Sequence, residues 1–352
     1  MRTPRKHALA LAAAAILTVS ACAGTPASST APSEAPSAAA PSAAPASESP
    51  SAEPSQQAYK LAAVLANLSD PFWATIACSA KAEATTLGVD LKLYTSPSSD
   101  DNAIAQNFNA AVLENPQGIL VTPFNNNQFA TQYKDLMAKG VPVVTGNGTD
   151  PQVEYKNIFS GGDTSVLAEK VLPLIPEGAG TMVYLGGAPG IPPLESRTLP
   201  FTEAVAKARP DLKQLPNDYS GFDVNKSTSN VNALILANPD LKLIIASNGP
   251  DGQAAAAAVK QSGKAGKIAL IAFDAVPAEV DALKDGTISA LIAQAPGTLG
   301  QEQIKALVDY LNANPTGGAV ATAGKQEVSS GLLTKDNLDD PANAVYIYKA
   351  GC

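Results

Sequence analysis

The sequence predicts an α/β chain built as two doubly wound parallel-sheet lobes joined by a three-strand hinge. Three observations carry that expectation. Beyond residue 57, short runs rich in Val, Ile and Leu alternate with amphipathic segments, the spacing of repeated strand–helix units whose strands are covered on both faces. The alternation falls into two similar series. Between them stands Gly161-Gly162-Asp163, where paired glycines suit a crossover from one lobe to the other.

In the first series, strands are expected at Lys60–Asn67, Val89–Tyr94, Gly118–Thr122, Val141–Thr145 and Asn157–Ser160, with helices near Phe72–Leu87, Asn102–Glu114 and Gln128–Lys139. In the second, strands are expected at Thr181–Gly186, Leu212–Tyr219, Leu241–Ser247, Lys267–Ala272 and Ile288–Ala293. Its helices fall near Glu195–Ala208, Val224–Ala237, Gln253–Ser262 and Ala278–Lys284. Crossovers near Gly162, Pro296 and Gly324–Gln326 give a first lobe of residues 58–162 plus 296–325 and a second of 163–295 plus 326–352. Such sheets bind ligands outside the carboxyl ends of their strands, and two facing sheets enclose a cleft. The polar residues just past the strands are therefore the candidates: Asn67-Leu68-Ser69-Asp70, Thr122-Pro123-Phe124-Asn125, Asn147-Gly148, Asn248-Gly249, Asp274 and Gln294.

The chain opens with Arg2, Arg5 and Lys6, followed by the apolar stretch Ala8 to Val19, too short to span a bilayer comfortably; residues 1–21 read as a signal peptide. The run Val19-Ser20-Ala21-Cys22 resembles the lipobox of bacterial lipoproteins. That resemblance implies cleavage after Ala21 and acyl chains on Cys22, holding an extracytoplasmic protein to the outer face of the cell membrane. Residues 22–57 are almost entirely Ala, Pro, Ser, Thr and Glu, with too little bulky apolar surface to offset the entropy of ordering, and read as a disordered tether.

Composition removes several function classes. The formal charge is −8, and the leader holds three basic residues and no acid, so the mature chain is more negative still and nucleic acid is a poor partner. The only histidine, His7, is in the leader, which leaves the mature chain without the commonest general base and zinc ligand. No catalytic residue, metal or cofactor is expected. With Cys22 assigned to lipid, Cys78 and Cys352 remain in an oxidising compartment, either as free thiols or, as expected here, as a disulfide. That bond would pin the C-terminus to the first helix, for a nominal stabilisation of about 5 kcal/mol from chain entropy. Three fragments mimic other chemistry. Gly146-Asn147-Gly148 has Pro151 where a dinucleotide loop needs its third glycine, and Gly186 to Gly190 lacks the Gly-Lys-Ser/Thr ending of a phosphate loop. Asp336 to Asp340 lacks the spacing and central glycine of a calcium loop.

From about Lys60 to Leu311 the sequence resembles the ribose-binding-protein group of type I periplasmic solute-binding proteins, the sugar receptors of ABC importers. Its blocks are Ser69-Asp70-Pro71-Phe72-Trp73, Gly140-Val141-Pro142-Val143-Val144, the Arg197 to Phe201 helix start, Ala237-Asn238-Pro239-Asp240, Ala272-Phe273-Asp274 and Ile292-Ala293-Gln294. The resemblance implies that Phe72 and Trp73 stack on a sugar's apolar face, with Phe222, or alternatively Tyr219, as the ring opposite. It implies that Asp70, which replaces the usual asparagine, and Asn147, Arg197, Asn248, Asp274 and Gln294 contact hydroxyls, an inventory of donors and acceptors suited to a neutral polyhydroxylated ligand. Asn147-Gly148 stands in place of the group's Asp-Arg pair and Gly249 in place of an acid, so the pocket is read as roomier and ribose itself as in doubt. A different pentose, a hexose, a polyol or a small glycoside stays open.

The expected function is capture of such a molecule by lobe closure and delivery, by a monomer, to an ABC permease and its ATPase. A membrane sensor in place of the permease is not separated from this by the sequence. The rival class is an exported glycoside hydrolase using Asp70 and Asp274. Asp274→Ala is expected to abolish binding and leave the apo fold nearly unchanged.

Overall fold

The computed structural model describes residues 58–96, 100–123, 128–146 and 153–352. The leader, the tether, Cys22 and Asn147 lie outside the described residues. The first sheet begins with β1 (Lys60–Val64), α1 (Pro71–Thr86), β2 (Asp90–Tyr94), α2 (Asp101–Leu113), β3 (Gly118–Val121), α3 (Ala130–Ala138), β4 (Val143–Thr145) and β5 (Lys156–Ser160). A short helical stretch, with α4 at Ala168–Val171, leads into β6 (Gly180–Gly186), α5 (Pro192–Ala208), β7 (Leu212–Gln214) and β8 (Asp218–Tyr219). Then come α6 (Val224–Ala237), β9 (Leu241–Ala246), α7 (Gly249–Gln261), β10 (Ala269–Phe273), α8 (Pro277–Lys284) and β11 (Ala290–Ala293). The series ends with α9 (Pro296–Ala313), β12 (Lys325–Val328), β13 (Gly331–Leu333) and a 3₁₀ turn at Pro341–Tyr346.

The first sheet has the order β12-β5-β4-β3-β1-β2 and is parallel throughout. The second has the order β13-β11-β10-β9-β6-β7, with β8 also on β6; β13 alone is antiparallel. Strands such as β3 and β10 are buried at every position, as their Val, Ile and Leu content requires when helices cover both faces. Helix starts are fixed by caps: Asp70 accepts from the Phe72 amide at 2.9 Å and Asp100 from the Ala103 amide at 3.0 Å, each joining a strand end to a helix.

Two elements depart from the expected scheme. Leu212–Tyr219 is two short strands rather than one, because Pro216 has no amide hydrogen to donate to the ladder. No helix was expected after Ala293, yet α9 is an 18-residue helix packed on α1. The approach is close at Gly300, where a Cβ would lie 2.2 Å from Ser79 Oγ and 2.5 Å from the Ile76 carbonyl.

The third crossover is also displaced. Gly324, at φ +85, opens β12, its carbonyl accepting from the Asn157 amide at 3.0 Å, and Lys325–Val328 pair with β5 in the first sheet. The chain passes to the second sheet between Val328 and Gly331 rather than at Gly324–Gln326. β12 is a half-exposed edge strand of polar residues, so no apolar run announces it. Nor does the C-terminal end stay with the second lobe: the Lys349 amide donates to Thr75 Oγ1 on α1, and Cys352 is bonded to Cys78 on α1, with a Cα–Cα distance of 5.3 Å.

Among the described residues, no helix is long and apolar enough to cross a membrane, and no group of His, Cys, Asp or Glu is placed to hold a metal ion.

Candidate functional site

The site is assembled at the carboxyl ends of both sheets, around Arg197. This residue rises from the first half of α5 and is 4% exposed. Its Nη1 donates to Asp274 Oδ1 at 3.0 Å and to Gln294 Oε1 at 2.6 Å, and its Nη2 donates to the Ser247 carbonyl at 3.2 Å. The guanidinium stands over the Phe273 ring, 5.7 Å from its centroid. Burial is the largest influence on its charge and lowers the Arg197 pKa, but the charge and hydrogen bond of Asp274, together with Tyr348 and Tyr184, outweigh it and hold the pKa above its ordinary value. Nε is buried without a partner, and one Nη2 hydrogen remains uncommitted.

Asp274 directly follows β10 with a φ of 88°, a backbone conformation that costs a non-glycine residue on the order of 1–3 kcal/mol and tends to occur where function fixes it. Its Oδ1 accepts from Arg197 and from the Tyr348 hydroxyl at 3.0 Å, and its Oδ2 accepts from the Gly249 amide at 3.1 Å. Gln294, directly after β11, accepts from Arg197 and donates through Nε2 to the Ser160 carbonyl at 3.1 Å, where the first crossover begins. The structure thus joins Arg197, Asp274 and Gln294 in one network.

On the first-lobe side, Phe72 and Trp73 open α1 behind the Asp70 cap. The two rings meet edge to face at 4.8 Å and are 7% and 8% exposed. Phe72 also lies 5.5 Å from the Tyr348 ring. Asp70 is accessible to solvent, yet the crowding of protein around its carboxyl raises its pKa, and the negative charge of Asp274 raises it further.

The remaining candidates differ in availability. Asn248 is the N-cap of α7: its Oδ1 accepts from the Asp251 amide at 3.1 Å, and its Nδ2 donates to Asp251 Oδ2 at 2.6 Å and Ser247 Oγ at 3.0 Å. Both amide hydrogens are thereby spent within the second lobe. Phe222 follows β8 at φ +63, is 43% exposed, and rests against Gly187, where a Cβ would lie 2.1 Å from its Cε1. Tyr219 instead packs with the second-lobe core, its ring 6.4 Å from that of Tyr184.

Two participants escape the sequence. Tyr348 lies beyond the stretch that carries the resemblance; burial and the nearby Asp274 charge push its phenol well above its ordinary pKa, so it is a protonated donor. Glu279, on the first turn of α8, has the sequence position of a surface acid but is wholly buried, its Oε2 accepting from the Val276 amide at 3.2 Å. Burial, and secondarily Asp274, raise its pKa well above the ordinary carboxyl value. Of the two carboxylates that hydrolase chemistry would use, Asp70 caps α1 and Asp274 is committed to a buried cation and a phenol, a setting for an acceptor of hydrogen bonds rather than an attacking group.

The D-allose-binding periplasmic protein of Escherichia coli K12 is 26% identical over 72% of this chain and 84% of its own length. The ribose import binding protein RbsB of Salmonella typhimurium is 26% identical over 70% of this chain and 82% of its own. Among solved structures, an ABC transporter solute-binding protein from Agrobacterium vitis bound with α-D-tagatopyranose superposes with a TM-score of 0.70 at 26% identity, covering 82% of this chain and 99% of that one. All three are named as binding proteins, one of them of ribose import and one of an ABC transporter. Residues 61–315, most of the folded part, match the periplasmic binding protein domain, and with two α/β lobes built on mostly parallel sheets the chain belongs to that family in its type I form.

Proposed function

We propose that this protein captures a monosaccharide or related polyol between its lobes and delivers it, as a monomer, to an ABC permease and its ATPase. The observation that carries this reading is the Arg197–Asp274–Gln294 network at the strand ends, with uncommitted donors on Arg197 and one free lone pair on Asp274 Oδ2. Such a set matches vicinal hydroxyls, and the Phe72, Trp73 and Phe222 rings supply apolar faces for C–H groups. Closure buries the ligand and completes its hydrogen bonds, so each ligand shifts the open–closed equilibrium by its differential affinity. Acyl chains on Cys22 would hold the protein at the outer face of the membrane, with residues 22–57 as the tether. The named ligands of the relatives, D-allose, ribose and D-tagatose, set the first compounds to try.

The experiment is a melting screen against aldoses, ketoses, polyols and small glycosides, followed by titration of the emission of Trp73, the sole tryptophan. A ligand at a hundred times its Kd adds about 2.7 kcal/mol, which for about 0.6 kcal/mol per degree of unfolding entropy raises the melting temperature by roughly 4 °C. No shift with any compound of these classes would overturn the reading.

A further inference from the structure

Residues 334–352 form a strap that leaves the second sheet, passes over Asp274 and Ala275 at the end of β10 and fastens on the first lobe. At its start, the Thr334 amide donates to Asn337 Oδ1 at 2.7 Å and Asn337 Nδ2 donates to the Leu332 carbonyl at 2.9 Å, tying it to β13. A Cβ on Gly331 would lie 2.5 Å from the Tyr346 ring, so the 3₁₀ turn at Pro341–Tyr346 sits directly on that strand. At its far side, the Lys349 amide donates to Thr75 Oγ1 on α1 at 2.6 Å, and Cys352 is bonded to Cys78.

Tyr348 stands midway and touches both lobes. Its amide donates to the Ala275 carbonyl at 3.1 Å, its hydroxyl to Asp274 Oδ1 at 3.0 Å, and its ring lies 5.5 Å from Phe72. It is 2% exposed and held from both ends, so swinging clear of the cleft would require breaking the strap's fastenings. Its presence has a stereochemical effect on the carboxylate that the resemblance assigns to ligand hydroxyls. Each carboxylate oxygen accepts about two hydrogen bonds. Oδ1 already has Arg197 and Tyr348, whereas Oδ2 has only the Gly249 amide. Tyr348 therefore restricts Asp274 to a single further hydroxyl, received at Oδ2, and its ring fills the space beside Phe72.

We propose that Tyr348 is a specificity-determining residue of the ligand site, a wall carried by the strap that selects among sugars by the position of the one hydroxyl Asp274 can still accept. The proposal rests on the sugar-binding reading above. Removing the hydroxyl while keeping the ring reopens Oδ1 to a second ligand hydroxyl and changes which stereoisomers fit. A uniform structural defect would instead weaken every sugar alike.

The test is calorimetric titration of wild type, Tyr348→Phe and Tyr348→Leu with D-ribose, D-allose, D-arabinose, D-fucose, D-tagatose and ribitol, alongside melting of each apo protein. The expected result is a change of tenfold or more in the ratio of Kd values between the two tightest wild-type ligands in Tyr348→Phe, and a larger change in Tyr348→Leu. Unchanged ratios, whether affinities hold or all fall by one factor, would overturn the role of Tyr348 and leave the sugar-binding reading intact. Wild type binding none of the panel would instead remove that reading, and the proposal with it.

Discussion

Asp274→Ala strikes the network at its centre, and its cost follows from what surrounds Arg197. The guanidinium is 4% exposed with Asp274 as its ion-pair partner; without it, the cation keeps the Gln294 side-chain oxygen, the Ser247 carbonyl and the Phe273 ring but no opposite charge in contact. Deleting one partner of a buried pair costs about 3–5 kcal/mol, because the surviving charge stays desolvated and uncompensated. Roughly 290 ordered residues at about 2.1 cal/mol/K each give about 0.6 kcal/mol per degree, so the apo melting temperature should fall by roughly 5–8 °C. Sequence reasoning expects an unchanged apo fold; the burial of Arg197 is why it should not be so. Scanning calorimetry of ligand-free protein at neutral pH measures the drop, and the double variant Arg197→Met/Asp274→Leu should recover much of it, since no lone charge remains. An apo melting temperature for Asp274→Ala within about 1 °C of wild type would refute a buried, paired Arg197.

Glu279 should give the apo protein a pH signature. Its carboxyl holds a proton more tightly in the fold than in the unfolded chain, so stability is complete below the ordinary value of 4.5 and declines as pH rises toward the folded value. The slope in that window is about 1.4 kcal/mol per pH unit, and Glu279→Gln should remove this contribution; denaturant midpoints of the two proteins that stay parallel from pH 4.5 to 8 would contradict a protonated Glu279. Breaking the Cys78–Cys352 bond, by reductant or by Cys352→Ser, releases a constraint spanning 274 residues of sequence and should cost about 2–5 kcal/mol. Equal melting temperatures with and without reductant would show that the bond does not form in solution.

The regular part of the fold is legible because parallel strands buried on both faces must be written as unbroken apolar runs, and β3, β9, β10 and β11 lie where such runs occur. What escaped was encoded without that signal. β12 is polar because it lies at an edge, and the beginning of α9 is a proline and glycines that punctuate loops as readily as they open helices. In the site, Asp274 and Gln294 stand out as polar residues past strands and Arg197 through the resemblance, and their direct bonding to one another is geometry that no single strand end discloses. Asn248 shows the converse: a polar residue past a strand is also where a helix cap belongs, and here its amide serves Asp251 and Ser247. Tyr348 had no signal at all, being brought to the cleft by a strap that runs against the lobe assignment suggested by chain order.

The side chain of Gln294 grips the backbone at Ser160 with one end and Arg197 with the other, so on the proposed function the pivot and the reader would share a component. Anyone recasting this receptor as a biosensor for a new analyte would find dose response and resting signal entangled. Mutations chosen to retune selectivity around Arg197 would also reset the resting open–closed balance of the unliganded state, and calibration would have to begin again with every redesign.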